Sequence, residues 1–556
     1  MSDRLEFARR HAPFIVALFA IAASITSLLN GFAYDDVRVI LNNDRVHSLS
    51  EAWRFFDQKY WPPHDGDSLY RPLTILLFAV QWGIGGGSPI VFHVLSIALN
   101  ACACVALFRV FRLVVKAETA LIGSLLFAVH PVHTEAVANI VGQSELVVAL
   151  LMFIAVERYI VAARSGRIDR PDIVFICGLY FAACLFKEHA IVLPGLLLAA
   201  DAVVGGDRGS WRSRLGGAAP LALGLVVVGV AFVVLRTSVA GELRSGGVNE
   251  LFSYNTPLKV RALTMLSVSS EWVRLFLWPA QLSADYSFPR TRLMTGPALS
   301  MLPGLLAIGA AAVLAWMKRR RAVAVTFGVL WLAVTLVIPS NLFIVTGFIL
   351  AERTLYLPSA GVVLLGAIAV AQFWKVATER QSALRPMGAV AVGLLLICGI
   401  ARSSTRNPVW ANNQSLFRQT VLDVPLSSHA HWMLAEHLSK SGRRAEGAEE
   451  MEVAVMLGRK NDFVLLGVAA DQLSEAGMCD RAMPLYERTL AIVPHNELWR
   501  SRSAACLLQL GRGGEARSVI GAGLARNPKS ERLMRMRAFV DSVSSQGDSA
   551  ASANSE

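Results

Sequence analysis

Four polar clusters stand at the edges of apolar runs in this chain, and their residue types suit proton transfer and phosphate recognition. The first is Tyr34-Asp35-Asp36, directly after an apolar run and in a loop that extends to Tyr70-Arg71-Pro72. Two adjacent carboxylates at a membrane edge repel each other and resist desolvation, which suits one of them to take a proton as a general base. A bare Asp-Asp is also a common solvated loop start or helix cap. The second is His130-Pro131-Val132-His133-Thr134-Glu135, with Gln143 and Glu145 beyond it. Two His three apart with a nearby Glu could hold a metal. No third firm ligand follows and Pro131 breaks the helix, so hydrogen bonding to sugar hydroxyls or phosphate is expected of His130, His133, Glu135 and Glu145 instead, with no metal. The third is Lys187-Glu188-His189, set between two apolar runs where ionisable side chains are costly and usually functional or paired; the alternative is a structural Lys187–Glu188 pair in a tight turn. The fourth runs from Ala351 to Ser359 and contains Glu352, Arg353 and Tyr356. An arginine fixed at a membrane interface by an adjacent glutamate can present two parallel hydrogen bonds to a phosphate, although a snorkelling arginine would look the same in sequence.

The elements that carry these clusters must be membrane spans. With 54% hydrophobic and only 17% charged residues in 556, the chain is too apolar for an ordinary soluble protein. Its net charge of +12 sits in short basic clusters between apolar runs, a pattern of membrane topology and not of nucleic-acid binding. After a basic start (Arg4, Arg9, Arg10), Ala12 to Leu29 reads as the first span and not as a cleaved signal. Further spans are expected over Ile90–Phe108, Ala117–Val129, Leu146–Val161, Ile173–Phe186, Ala190–Val203, Gly216–Leu235, Leu302–Met317, Ala322–Ile338, Leu355–Trp374 and Met387–Ile400. That makes roughly eleven, measured against the ~20 residues that cross a bilayer. Alternation from a cytoplasmic N-terminus puts every basic cluster on one side: Arg109 to Lys116, Arg164 to Arg170, Arg208 to Arg214, Lys318 to Arg321, and Lys375 to Arg385. The polar interruptions in Arg261–Leu277 and the shortness of Leu73–Trp82 make both interfacial or re-entrant helices. An odd span count then places everything after Arg402 outside the cytoplasm, and the four polar clusters at the outer face.

Beyond Arg402 the composition turns polar and helical, and a period of 34 residues links Gly477 to Gly511, Ala482 to Ala516 and Pro494 to Pro528. This is tetratricopeptide spacing, in which paired helices stack into a solenoid. Small Ala469, Ala470 and Ala482 at the helix crossing and Tyr486 packed between the helices fit one unit, and Trp432 to Leu457 reads as a degenerate earlier one. Cys479 and Cys506 could meet in an oxidising compartment, but cysteines in helical repeats are more often buried singly. From Ser542 onward the Ser/Ala/Gly/Asp tail lacks an apolar face and is expected to be disordered.

Taken in order, Tyr34-Asp35-Asp36 with Ile40-Leu41-Asn42-Asn43, Tyr70-Arg71-Pro72-Leu73-Thr74, Phe92-His93, His130 to Val137, Lys187-Glu188, Ala351 to Ser359 and the repeats resemble the transmembrane-and-tetratricopeptide (TMTC-type) family of membrane glycosyltransferases, within the GT-C superfamily. The resemblance implies an all-α, polytopic GT-C-like bundle over residues 1–405, a repeat solenoid over 406–541 and a disordered tail over 542–556. It further implies inverting transfer of a hexose, mannose in eukaryotic members, from a polyprenyl phosphate to a hydroxyl acceptor on the outer side of the membrane. The repeats could recruit an exported protein for Ser or Thr glycosylation or organise assembly of a surface glycan, of which the protein acceptor is preferred, and the basic, Ala- and Arg-rich composition points to a bacterial inner membrane with the repeats periplasmic. Asp35 or Asp36, with a weak preference for Asp36, would be the base; Arg353 and Lys187 would hold the donor phosphate; Arg71, Glu188, Glu352, Tyr356 and the His130–Glu145 group would line the substrate. The expected partners are the bilayer, the lipid-linked sugar and a protein on the repeats, with no nucleic acid, cofactor or metal. Two positions depart from the family: Gln143 stands where an arginine is usual, and His189-Ala190 where Gln-Gly is usual. A non-catalytic scaffold and a transporter are the competing readings; the latter would call for inverted halves and midplane charges, neither of which the sequence displays.

Overall fold

The computed structural model describes residues 2–62, 69–204, 211–241, 251–253, 255–287, 290–318, 323–379 and 385–553. They form helices and loops with no strand among them, and they divide into two compact units, Met1–Ser287 with Thr291–Leu416, and Phe288–Arg290 with Phe417–Glu556.

The first unit is the apolar one. Its helices are α1 (Ser2–Ser24), α2 (Pro72–Gly85), α3 (Pro89–Val114), α4 (Ala117–Ala128), α5 (Thr134–Ala138), α6 (Gln143–Arg164), α7 (Arg170–Phe186), α8 (Leu193–Val204), α9 (Trp211–Ala240), α10 (Leu258–Leu277), α11 (Leu302–Lys318), α12 (Val323–Thr335), α13 (Tyr356–Glu379) and α14 (Arg385–Arg406). Among the described residues, seven helical stretches are long and apolar enough to cross a bilayer: His11–Leu29, Pro89–Val114, Ile140–Arg164, Gly217–Ala240, Leu299–Met317, Glu352–Glu379 and Pro386–Ala411. The chain is an integral membrane protein. The remaining expected spans also fall on helices, but α7, α8 and α12 are shorter, and the third expected span is a pair, Ala117–Ala128 and Pro131–Ala138, bent by 49°. Pro131 causes that bend, because it has no N–H to donate and disfavours helical backbone at His130. Leu73–Trp82 and Arg261–Leu277, expected to be interfacial, are the helices α2 and α10.

The core of this unit is a contiguous apolar cluster drawn chiefly from α1, α3, α4, α6, α7, α8 and α13, with Leu107, Phe111, Phe153, Trp331 and Tyr356 among its members. At one end of the bundle the basic clusters after α3 and α6 meet: Arg109 pairs with Glu157 (2.9 Å), and Arg164 donates to the carbonyl of Leu113 (2.5 Å). These two clusters therefore share a side, as span alternation requires. The clusters Arg208 to Arg214 and Lys318 to Arg321, and Arg380 and Arg385 of the last one, lie outside the described residues or side chains, as do the side chains of Arg4, Arg9 and Arg10.

The second unit takes up the chain at Phe417, within α15 (Asn413–Asp423), and continues through α16 (Ser428–Lys440), α17 (Arg444–Leu457), α18 (Phe463–Glu475), α19 (Cys479–Ile492), α20 (Glu497–Gln509), α21 (Gly513–Leu524) and α22 (Glu531–Ala553). Successive pairs stack as the 34-residue period requires. Ala469, Ala470, Ala482 and Tyr486 are all fully buried, and the turn glycines Gly442, Gly477 and Gly511 have φ of +83°, +79° and +73°, a region side chains with a Cβ rarely adopt. Buried Asp471 ties the repeats together: it accepts from Tyr486 Oη (2.9 Å) and Trp499 Nε1 (3.2 Å) and pairs with Arg502.

Three expectations change here. Cys479 and Cys506 are not buried singly but bonded to each other, because antiparallel α19 and α20 bring their Cα atoms to 5.3 Å. The boundary between the units falls after Leu416 and not at 405, since the turn after α14 packs back on the membrane unit. The segment from Ser542 continues α22 to Ala553, and residues 554–556 lie outside the described ones.

Candidate active site

Asp35 and Asp36 are neighbours in sequence with opposite surroundings. Asp36 is fully buried; its Oδ2 accepts the backbone N–H of Ile140 (3.1 Å) and its Oδ1 that of Val141 (2.8 Å). Those two amides open the helical turn Ile140–Gly142 that leads into α6, where free N–H groups call for an acceptor. Burial pushes the Asp36 carboxyl up to about 7 despite the two amide donors, which oppose the shift. The turn that offers these amides requires Gly142, since a Cβ there would overlap the backbone of Ala136. A carboxylate with both oxygens bonded to backbone amides is poorly disposed to reach an acceptor hydroxyl, which leaves Asp35 the better placed of the two expected candidates.

Asp35 keeps a fifth of its side chain exposed and places Oδ2 3.4 Å from Nη1 of Arg353. The first loop and the start of α13, expected to converge, thus meet through this pair. Arg353 is not held by its neighbour Glu352. It is held by Glu135, whose Oε2 accepts the main-chain N–H of Arg353 (3.0 Å) and whose Oε1 lies 3.2 Å from Nη1. Phe348 lies under the guanidinium at 5.6 Å. Although two carboxylates lie near it, buried Nη1 makes no hydrogen bond of proper geometry among the described residues. It is a donor that a phosphate oxygen could still use.

The Lys187 cluster is also re-paired relative to expectation. Lys187 Nζ donates to Glu145 Oε1 (2.6 Å), and His189 Nε2 lies 3.3 Å from Oε2 of the same carboxylate. Glu188 turns the other way and receives Nε and Nη2 of Arg71, both at 3.0 Å, while Arg71 stacks over Tyr60 at 5.0 Å. The hydroxyl of Thr74, near the start of α2, donates to Phe186 O (2.7 Å) and fixes this turn against α2. Burial lowers the Lys187 ammonium, Glu145 opposes it, and the charges of Arg71 and Arg353 act in the same direction as burial. Arg353 thus bears on the Lys187 ammonium as a like charge.

Four expected substrate residues are spent on the scaffold instead. His130 donates Nε2–H to Phe276 O (3.1 Å) and accepts Val132 N–H at Nδ1 (3.3 Å). His133 meets Ser359 Oγ at 2.8 Å and packs between Phe127 and Tyr356. Tyr356, with no exposed surface, donates to Asn100 Oδ1 (2.8 Å). Glu352 accepts the Ser283 N–H (2.6 Å) and the Tyr286 hydroxyl (2.5 Å), binding the segment after α10 to the head of α13. Each is a helix-end residue whose polar atoms found a local partner, which spacing alone does not reveal. Gln143 likewise faces the interior, exchanging hydrogen bonds with Gln81 (2.8 and 2.9 Å) and donating to Phe92 O and Ser96 Oγ.

Tyr34, from the first polar cluster, and Asn413, which the sequence did not single out, shape the site. Tyr34 has φ of +56°, and its N–H donates to Asn413 Oδ1 at 2.6 Å. No local pattern marks Asn413, which is 379 residues away. Behind the Lys187 turn, a cavity of about 530 Å³ opens between α6, α7, α8 and α9; Tyr180, Ile191, Leu197, Leu225, Val230 and Val233 are among its almost wholly apolar lining.

The fold and the site define an all-α integral membrane protein with a carboxylate–guanidinium centre and a soluble repeat unit. A tetratricopeptide-repeat family model matches residues 473–538. The expected TMTC-type resemblance is borne out: the chain is 25% identical over 497 residues to the protein O-mannosyl-transferase TMTC4 of Mus musculus, covering 78% of this chain and 64% of that one. It is 28% identical over 503 residues to TMTC1 of Homo sapiens (81% and 56%) and 26% identical over 454 residues to TMTC3 of Mus musculus (76% and 48%). The chain thus spans between 48% and 64% of the length of these curated relatives. Among solved structures, the archaeal oligosaccharyltransferase AglB from Archaeoglobus fulgidus superposes with a TM-score of 0.44 at 15% identity, covering 72% of this chain and 56% of that one.

Proposed function

We propose that this protein is an inverting glycosyltransferase that moves a hexose, mannose by analogy with the names of its relatives, from a polyprenyl phosphate to the hydroxyl of a protein Ser or Thr on the non-cytoplasmic face of a membrane. The observation that carries this reading is the placement of Asp35, the accessible member of its pair, 3.4 Å from Arg353. Asp35 takes the proton of the acceptor hydroxyl as that oxygen bonds to the anomeric carbon from the face opposite the phosphate. The bond from the anomeric carbon to the phosphate oxygen breaks, and its electron pair leaves on the phosphate. Arg353 and Lys187 stabilise that charge. Donor binding draws the guanidinium toward phosphate and frees Asp35 to act as a base.

The apolar cavity beside Ile191, four residues after Lys187, supports a prenyl-chain donor, because it lets the chain rest in apolar surroundings while the phosphate meets the cations. The bonded Cys479–Cys506 pair supports an oxidising compartment for the repeats, which in a bacterium is the periplasm. Tetratricopeptide units commonly hold a peptide or partner domain on a concave face, and this one would recruit the acceptor protein.

The test is a transfer assay with purified protein, a panel of polyprenyl-phosphate sugars and a peptide mixture, comparing wild type with Asp35→Asn and Arg353→Ala. Loss of product in both variants supports the mechanism. Equal turnover in all three removes it and favours a scaffold that acts only through its repeats.

A further inference from the structure

The base sits on a backbone that is held from both sides. On one side Asp36 is fixed by the amides of Ile140 and Val141. On the other, Tyr34 occupies the left-handed region at φ +56°, where a side chain with a Cβ is strained and glycine is not. Something must hold a tyrosine there, and the turn after α14 does so. Asn413 Oδ1 accepts the Tyr34 N–H at 2.6 Å, and Trp410 meets the Tyr34 ring edge to face at 6.5 Å.

The last turn of α14 and the turn after it brace the chain leading to Tyr34 at successive points. Thr26 Oγ1 donates to Ser404 O (3.0 Å), Asn30 Nδ2 to Asn407 O (2.8 Å) and the Gly31 N–H to Ala411 O (2.9 Å). Asn407 Nδ2 in turn donates to Ala23 O and Thr26 Oγ1. Asn413 is the last rung of this ladder and the one that touches the residue next to the base. It is itself set by a cap in which Asn412 Oδ1 accepts the Ser415 N–H (3.0 Å) and Ser415 Oγ accepts the Asn412 N–H (3.2 Å).

We infer that Asn413 is a positioning residue for the transfer reaction: by locking Tyr34 in its left-handed conformation it fixes the direction in which Asp35 presents its carboxylate. The inference rests on the reading of Asp35 as the base. Because Asn413 acts through the Tyr34 backbone, its loss is expected to act on turnover and not on substrate affinity.

A double-mutant cycle tests this. Asn413→Ala lowers kcat by about tenfold or more with KM for donor and acceptor within about twofold. Asn413→Asp, which keeps an acceptor oxygen in place, retains most of the turnover. In a Tyr34→Gly background, where the left-handed conformation needs no restraint, Asn413→Ala costs less than about threefold. Wild-type kcat in Asn413→Ala, a change confined to KM, equal losses in Asn413→Asp and Asn413→Ala, or an equal Asn413→Ala loss in both backgrounds would each overturn the inference. If Asn413→Ala does not extract as a monodisperse protein, the Asn413→Asp and Tyr34→Gly/Asn413→Ala proteins still decide it, because the inference requires both to fold and turn over. Should wild type match Asp35→Asn, it is the proposed function that fails.

Discussion

Glu135 grips Arg353 at two points, accepting its main-chain N–H at 3.0 Å through one carboxylate oxygen and facing its guanidinium at 3.2 Å through the other. The start of α13 and the orientation of its arginine are thus set by one side chain from α5, on the far side of the Pro131 bend. A carboxylate that fixes both the backbone and the head of an arginine leaves it little rotamer freedom, so in the proposed mechanism the cation need not be ordered when the donor phosphate arrives.

Truncating that grip separates position from charge. Glu135→Ala is expected to lower turnover by at least about tenfold, because Arg353 is left with Asp35 alone and is drawn onto the base. Glu135→Gln, which keeps an acceptor for the main-chain N–H, loses less. Steady-state rates at saturating donor check the order, and an Ala variant more active than the Gln variant contradicts it.

Lys187 and Glu145 form a buried pair at 2.6 Å. Lys187→Met leaves Glu145 with His189 alone and should destabilise the membrane unit by roughly 3 kcal/mol. Adding Glu145→Gln removes the stranded charge and restores the melting temperature. If Lys187 also meets the donor phosphate, turnover stays low in the stable double variant; recovery of both properties together would reduce Lys187 to a structural role.

Asp36 makes stability depend on pH. Its folded pKa of about 7 lies above the ordinary carboxylate value of 3.8, so between these values the folded state binds more protons than the unfolded one. The sign follows: the Asp36 contribution is complete below about pH 4 and is lost as pH rises through 7. Asp36→Asn, which stays neutral, should gain in melting temperature relative to wild type as pH is raised from 5 to 8. A constant difference across that range would mean that the carboxyl is ionised throughout.

The Cys479–Cys506 bond closes a loop across α19 and α20 with a separation of 27 residues. Loop-closure entropy for that length predicts that Cys506→Ala destabilises the repeat unit by about 2–4 kcal/mol. Urea unfolding followed by a fluorophore attached within the repeats measures it. Thiol titration of the unfolded, unreduced protein provides the direct check: it should find Cys479 and Cys506 unreactive.

Composition and periodicity decided the all-α class, the location of the spans and the 34-residue helical repeat, because these depend on side-chain type at fixed spacing along one chain. The four polar clusters were visible for the same reason: charges interrupting apolar runs cannot be hidden in sequence. Which atoms they meet was not. Adjacent residues on a turn or a helix end point in different directions, so Asp35 and Asp36, Lys187 and Glu188, and Glu352 and Arg353 each part company and pair with elements distant in the chain. The partners are Glu145 for Lys187, Glu135 for Arg353 and Asn413 for Tyr34, and they are chosen by how helices cross. Only the tertiary structure fixes that, because a buried charge or amide takes whichever complementary group packing brings within about 3 Å.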